Sequence, residues 1–292
     1  MSSVKTMENS EIKGPLFLEA VEAIDAGDID KLHDLVTRHP QIIKNRLDYP
    51  EGAYFKDPYL LWFVADNPIR RGKLSPNIVE VTRLLVQAVK REAAETAQHQ
   101  LDYTLGLVAT GRIPRECGVQ IQMIDLLIDE GAKLGGGLGA LAHGNIAAAE
   151  RLIERGGKLT LAAAVGLNKM DDVKRLATDK DELITALTAA AMYGNAAMVT
   201  YLLGLGANPN SYPESKSGFH SHATPLHQAV SSGSLECVKL LVEAGANLNA
   251  TDKAYGGTPL GWALYMPTEE GHDDEIKIRW AAIAEYLQEQ IK

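Results

Sequence analysis

Two spacings in this chain agree to the residue. Gly194 lies 39 residues before Gly233, and Gly206 lies 39 before Gly245. The segments around them are alike. One reads Thr185-Ala-Leu-Thr-Ala-Ala-Ala-Met-Tyr-Gly194, then Met198-Val-Thr-Tyr-Leu-Leu203, then Gly206-Ala-Asn-Pro-Asn210. The other reads Thr224-Pro-Leu-His-Gln-Ala229, then Leu235 to Ala244, then Gly245-Ala-Asn-Leu-Asn249. Such copies constrain the fold strongly, because each is a small unit that cannot bury its apolar side alone and must stack on a neighbour. Pro225 suits a first helical turn, where its missing N–H costs nothing. Gly233 and Gly245 suit helix ends that need a left-handed backbone. Val238, Leu241 and Val242 recur at three and four, giving an apolar stripe for packing. The unit predicted is a helix, a tight turn and a second helix.

Weaker copies run through most of the chain. Ala140-Leu-Ala-His-Gly144 and Ala149 to Gly156 form one, and Met123 to Lys133 closes the one before it. Val79 to Ala88 aligns with Leu235 to Ala244. Ala162 to Leu176 and Phe17 to Val36 are fainter, and the last copy opens at Gly257-Thr-Pro-Leu-Gly-Trp-Ala263. The Thr-Pro-Leu-His, Gly, Leu-Leu, Gly-Ala-Asn order, at a period of ~33 residues, resembles the ankyrin repeat. The resemblance is clear over 120–160 and 184–264, and degenerate over 16–118 and 160–183, with a C-terminal capping unit at 256–292. The whole resembles a bacterial type of ankyrin protein. It implies an all-α solenoid of about eight helix–turn–helix repeats with short β-hairpin fingers, a concave face, and a binding scaffold without chemistry of its own. Residues 1–15 are expected to be a loose leader before a single array, 16–292.

Composition narrows the partner. Net charge is −9 and the pI about 5.4, so nucleic acid, which demands a basic footprint, is a poor match. No run of 18 apolar residues offers a membrane helix. Aromatic residues make up 6% of the chain, which suits thin layers of small-residue helices better than strands. Cys117 and Cys237 fall in different copies and read as reduced thiols of a cytoplasmic protein. A monomer that binds another protein is expected.

The departures from the repeat carry the functional reading. The middle units are short: Gly131 to Gly156 is 25 residues, too few for a finger, leaving a bare face floored near His143, Leu167 and Tyr193. A turn-rich finger, 208–222, carries Phe219, His220 and His222, and loops on rigid frames concentrate binding residues. Two early turns are expanded, 66–77 and 110–118. They should lie side by side and offer Arg70, Arg71, Lys73, Arg112 and Arg115 to an anionic partner; the alternative is a solvated loop edge. The last unit instead has an acidic loop, 269–275. Partner contacts are assigned to Trp62, Arg70, Arg71, Arg112, His143, Tyr193, Phe219, His220, His222, Ser231, Ser232, Tyr255, Trp262 and Tyr265. The two tryptophans occupy the same place in their first helices, and either contact a partner or pack between neighbours.

Chemistry finds little support. His220, His222 and His227 with Glu214 could in principle ligate zinc, as a small-ligand or metal-binding alternative. However, no cysteine or second histidine pair completes a set, and His227 sits where the resemblance implies a backbone contact. No metal, cofactor or catalytic residue is assigned. Gly135-Gly-Gly-Leu-Gly139 lacks the Lys-Ser/Thr of a phosphate loop, and no nucleophile-elbow or zinc-protease motif occurs.

Overall fold

A computed structural model describes residues 12–47, 57–269 and 271–291. Most of the expected leader, and the 48–56 segment, lie outside the described residues. The chain divides into two compact units at residues 158 and 159.

In the N-terminal unit, α1 (Pro15–Ala26) and α2 (Ile29–Arg38) form the first pair. Gly27 turns between them at φ 71°, and Asp28 caps α2 by accepting from Lys31 N–H, a satisfied N-terminus of the usual kind. After short α3 (Gln41–Lys44), a 3-10 helix over Leu60–Ala65 stands where the next first helix was expected. All six of its residues are buried. It packs against α4 (Ile78–Glu92). Then α5 (Ala94–Thr110) pairs with α7 (Gln120–Asp129), with α6 (Arg112–Glu116) in their connection, and α8 (Leu138–Ala142) pairs with α9 (Ile146–Glu154). First helices stack on first helices and second on second. The order is α1, the 3-10 helix, α5, α8 in one layer and α2, α4, α7, α9 in the other. Leu61, Leu85, Val108 and Leu127 are wholly buried between these layers. Each such side chain stabilises the stack by about 1.5–3 kcal/mol relative to exposure.

The C-terminal unit repeats the plan with α10 (Leu161–Gly166), α11 (Met170–Leu176), α12 (Leu183–Met192), α13 (Ala196–Gly204), α14 (Pro225–Ser231), α15 (Leu235–Glu243), α16 (Pro259–Tyr265) and α17 (Asp274–Ile291). Here α10, α12, α14 and α16 form one layer, and α13, α15 and α17 the other. Alanine-rich α12 is buried almost all round, because it is packed by helices on both sides within its layer. Val238 and Leu241 are fully buried, whereas Leu240 and Val242 are half-buried, so the stripe is narrower than its spacing suggested. Gly233 sits at φ 69°, and a Cβ there would lie 2.5 Å from Ile276 Cδ1. Both backbone and space favour glycine at that turn.

One sequence expectation needs correction. No strand occurs among the described residues. The connections expected as β-hairpin fingers are turns and loops, tied by side chains rather than by a ladder.

Candidate functional site

The best-defined surface lies where two connections of the C-terminal unit meet, 205–224 and 244–258. Asparagines begin the seam. Asn210 Oδ1 accepts from Asn247 N–H at 2.6 Å, and Asn210 Nδ2 donates to Gly245 O at 2.9 Å. Tyr212 Oη donates to Thr251 O at 2.7 Å, and Lys253 N–H to His222 O at 2.7 Å. The Lys253 ammonium sits 4.3 Å from the Tyr212 ring centre, a cation–π contact.

Asp252 anchors the second loop. Its buried carboxylate accepts from Ala254, Tyr255 and Gly257 N–H at 2.7–2.9 Å and from Trp262 Nε1 at 3.0 Å. Burial pushes its pKa up, but the hydrogen bonds from Tyr255, Trp262, Gly257 and Ala254 outweigh it and hold the carboxyl below its ordinary value.

His227 locks the loop to α14. Its Nε2 lies 3.0 Å from Gly257 O and its Nδ1 2.8 Å from Thr224 Oγ1, with Thr224 N–H donating to Nδ1 at 3.4 Å. Only the Nε2–H tautomer serves all three. Burial depresses the imidazole's pKa, keeping that neutral form near pH 7. Both ring nitrogens are therefore engaged by protein groups. Among the described residues, no group of three metal-holding side chains forms.

Ankyrin repeats are the family whose model matches this chain, over residues 117–252 and 215–277, together more than half of its length. The chain belongs to the ankyrin repeat family. Human ankyrin repeat and SOCS box protein 18 is 27% identical over 125 residues, covering 34% of this chain and 26% of that protein. Human protein phosphatase 1 regulatory subunit 27 is 49% identical over 49 residues, 17% of this chain and 29% of the relative. The potassium channel GORK of Arabidopsis thaliana is 40% identical over 67 residues, 23% and 7%. The chain thus spans less than a third of the length of these relatives.

Within the ankyrin repeats, the expected contact residues separate by environment. Tyr255 is 67% exposed at the loop tip, and Tyr265 is 48% exposed at the end of α16, beside Leu264 at 53%. Leu264 was not singled out from sequence, although it directly precedes Tyr265. Tyr193 is half-buried, which pushes its hydroxyl pKa up to about 12. Ser231 and Ser232 are half-buried, and Ser232 Oγ donates to Ala229 O at 2.8 Å, closing the turn after α14. Trp262 is half-buried, its indole committed to Asp252. His220, at φ 41°, and His222 are half-buried, their rings 5.9 Å apart. His143 is exposed, with Nδ1 2.9 Å from Gly139 O.

Three expected contacts are corrected by burial. Phe219 is 1% exposed: the 3-10 turn Ser215–Ser217 and left-handed Gly218 fold the loop back and drop the ring inside. Trp62 is 4% exposed, stacked on Tyr103 at 4.0 Å, so it packs between neighbours. Arg70 is enclosed, with both terminal nitrogens on Asp25 at 2.6 Å and Asp66 nearby. The expanded turns do meet, since Asn67 Nδ2 donates to Leu107 O and Thr110 Oγ1. The other arginines have polar partners: Arg71 pairs with Asp25, Arg115 donates to Asn145, and Arg112, more than half exposed, pairs with Glu116 on the surface. Of the basic residues expected there, Arg70 is withdrawn inside, while Arg71, Lys73 and Arg112 keep exposed side chains. Asp252 went unnoticed in the sequence, although an Asp opening a turn that ends in Gly256-Gly257 is a recognisable turn signal.

Proposed function

We propose that the chain is a non-catalytic protein-interaction module that holds its partner on the C-terminal unit, across the loop seam and the exposed end of α16. Ankyrin repeats are generally protein–protein interaction modules. The observation that carries the reading is the pairing of exposed tyrosines with an immobilised base. Tyr255 projects from a turn tied by four hydrogen bonds to one carboxylate, and Tyr265 from a helix seated on α14 and α17. Aromatic side chains on a preformed surface bind at low entropic cost and supply most interface hot spots. Tyr193, Ser231, Ser232, His220, His222 and Trp262 complete the contact surface proposed on that unit; His143, Arg71 and Arg112 lie in the other unit and stand outside it.

The eight helical pairs are read as eight repeats. One similar protein is named as a regulatory subunit of a phosphatase, a role that suits a module without catalysis. Cys117, exposed, and Cys237, buried, are both free, as in a reducing cytoplasm. No described helix is long and apolar enough to cross a membrane.

Photo-crosslinking tests the proposal. A benzophenone amino acid placed at Tyr255 or Tyr265 is expected to yield discrete protein adducts in cells, and one at exposed Lys239 on α15 is not. Equal labelling from all three positions overturns the assignment.

A further inference from the structure

The surface of α16 has a chemical character that narrows the partner, and this step rests on the protein-binding reading above. Pro259 and Ala263 are buried against neighbouring helices, while Gly261, Leu264 and Tyr265 share the opposite, exposed side, at the three-and-four spacing of one helix face. Gly261 has no side chain, so the backbone there is bare one turn before two large apolar groups. The face is a short apolar strip with a flat floor.

The segment that follows it is predominantly acidic. Between residues 264 and 291 the chain carries seven carboxylates against Lys277 and Arg279. Arg279 pairs with Glu275 on its own helix. Glu269 and Asp274 lie in and just after the turn that leaves this strip. The acidic loop is thus continuous with the apolar face. An incoming segment meets grease first and carboxylates at its edge.

We infer that this face takes a basic amphipathic segment of a partner protein, with an apolar side chain seated on Leu264 and Tyr265 and flanking lysines or arginines against Glu269, Asp274 and Glu275. The apolar contact supplies affinity, and the carboxylates supply orientation and selection against acidic segments.

The test uses the full chain and three labelled synthetic peptides in fluorescence anisotropy. One is a lysine-rich amphipathic helix, the second keeps its apolar residues with glutamate for lysine, and the third keeps its lysines with serine for the apolar residues. Only the first is expected to bind, and more weakly as salt rises. The double variant Leu264→Ser, Tyr265→Ser and the triple variant Glu269→Gln, Asp274→Asn, Glu275→Gln should each weaken it by about tenfold or more. Asp273 is left intact because it caps α17 by accepting from Ile276 N–H; unchanged circular dichroism and melting confirm folded variants. A Glu269→Lys, Asp274→Lys variant should turn preference toward the acidic peptide. Equal binding of all three peptides, no binding of the first, or self-association that the Leu264/Tyr265 change abolishes overturns the inference. If adducts persist at Tyr255 and Tyr265 while the peptides are not discriminated, the interaction reading survives and the basic partner does not.

Discussion

The two units solve one problem in different ways. Every helix end leaves carbonyls that need donors. In the C-terminal unit the donors follow the repeat: left-handed Gly194 and Gly233 turn the chain back, Thr-Pro opens α14 and α16, and His227 bonds Gly257 O. The N-terminal unit also turns on left-handed glycines, among them Gly27, Gly118, Gly131 and Gly144, and adds side-chain amides to them. Gln120 Nε2 lies within 3.0–3.3 Å of three carbonyls, those of Val108, Ala109 and Gly111. Asn145 donates to Ala109 O, Asn77 to Gly27 O and Gln100 to Ile43 O. The faint repeats are therefore not loose ones. Beside the local glycine turns they carry side-chain contacts, those of Asn77 and Gln100, that join residues 50 and 57 apart in the chain.

The largest effects are expected where a buried charge loses its partner. Arg70→Ala would leave Asp25 and Asp66 enclosed without their guanidinium and should cost about 3–5 kcal/mol, read by urea denaturation. A change under 1 kcal/mol would show that the network is wetter than its geometry indicates. In the C-terminal unit, Leu241→Ala, with the side chain fully buried, should cost about 2–5 kcal/mol. If Leu127→Ala, equally buried in the N-terminal unit, costs far less, the claim that both units are packed alike is broken.

Removing one amide sharpens the comparison. Gln120→Ala strands carbonyls beside Gly111 and should cost about 1–3 kcal/mol, with Gln120→Glu no better because a carboxylate cannot donate. In the C-terminal unit, Gly233→Ala should cost about 1–2 kcal/mol for the left-handed backbone. Thermal melts separate these from a neutral surface change such as Lys239→Ala.

How far the sequence could be read follows the same division. The Gly and Pro punctuation around 194–249 identified helices and turns because each signal acts on its own few residues. Trp62 aligned correctly with Trp262, but its fate did not follow from the alignment: only the packing of α5 puts Tyr103 over it. Phe219 looked like a contact residue because an aromatic in a polar loop has no visible neighbour in sequence, and the fold supplies one. Arg70 and Asp25 are 45 residues apart, so no spacing rule joins them. Within the candidate site, Tyr255 and Tyr265 were legible as aromatics at helix and loop ends. Asp252, which holds the loop beneath them, required knowing that its carboxylate turns inward.

The smallest effect is one of pH, and its sign differs between the units. Asp66 accepts from Arg70, Arg71 and Gly72 N–H, as Asp252 does from its own loop. Deep burial nevertheless dominates over Arg70 and those hydrogen bonds and raises its pKa above 3.8. A raised carboxyl binds its proton more tightly folded than unfolded, so its contribution falls as pH rises from 3.8 through the folded value. Asp252 is depressed below 3.8; its contribution is present above 3.8 and lost as pH falls through the folded value. His227 acts in a higher window: with its pKa lowered from 6.5, the neutral fold is fully favoured above 6.5 and loses stability as pH drops below it. Amide exchange at matched intrinsic rates should therefore show protection at Tyr255 and Gly257 declining in two stages, below 6.5 and again below 3.8. Protection at Arg71 and Gly72 should hold or improve between neutrality and pH 3.8. His227→Gln should remove the first stage alone, since its amide can still donate to Gly257 O but does not titrate. Parallel decline at both loops would mean that their shared hydrogen-bond pattern, and not the balance of desolvation against those bonds, sets their response to acid.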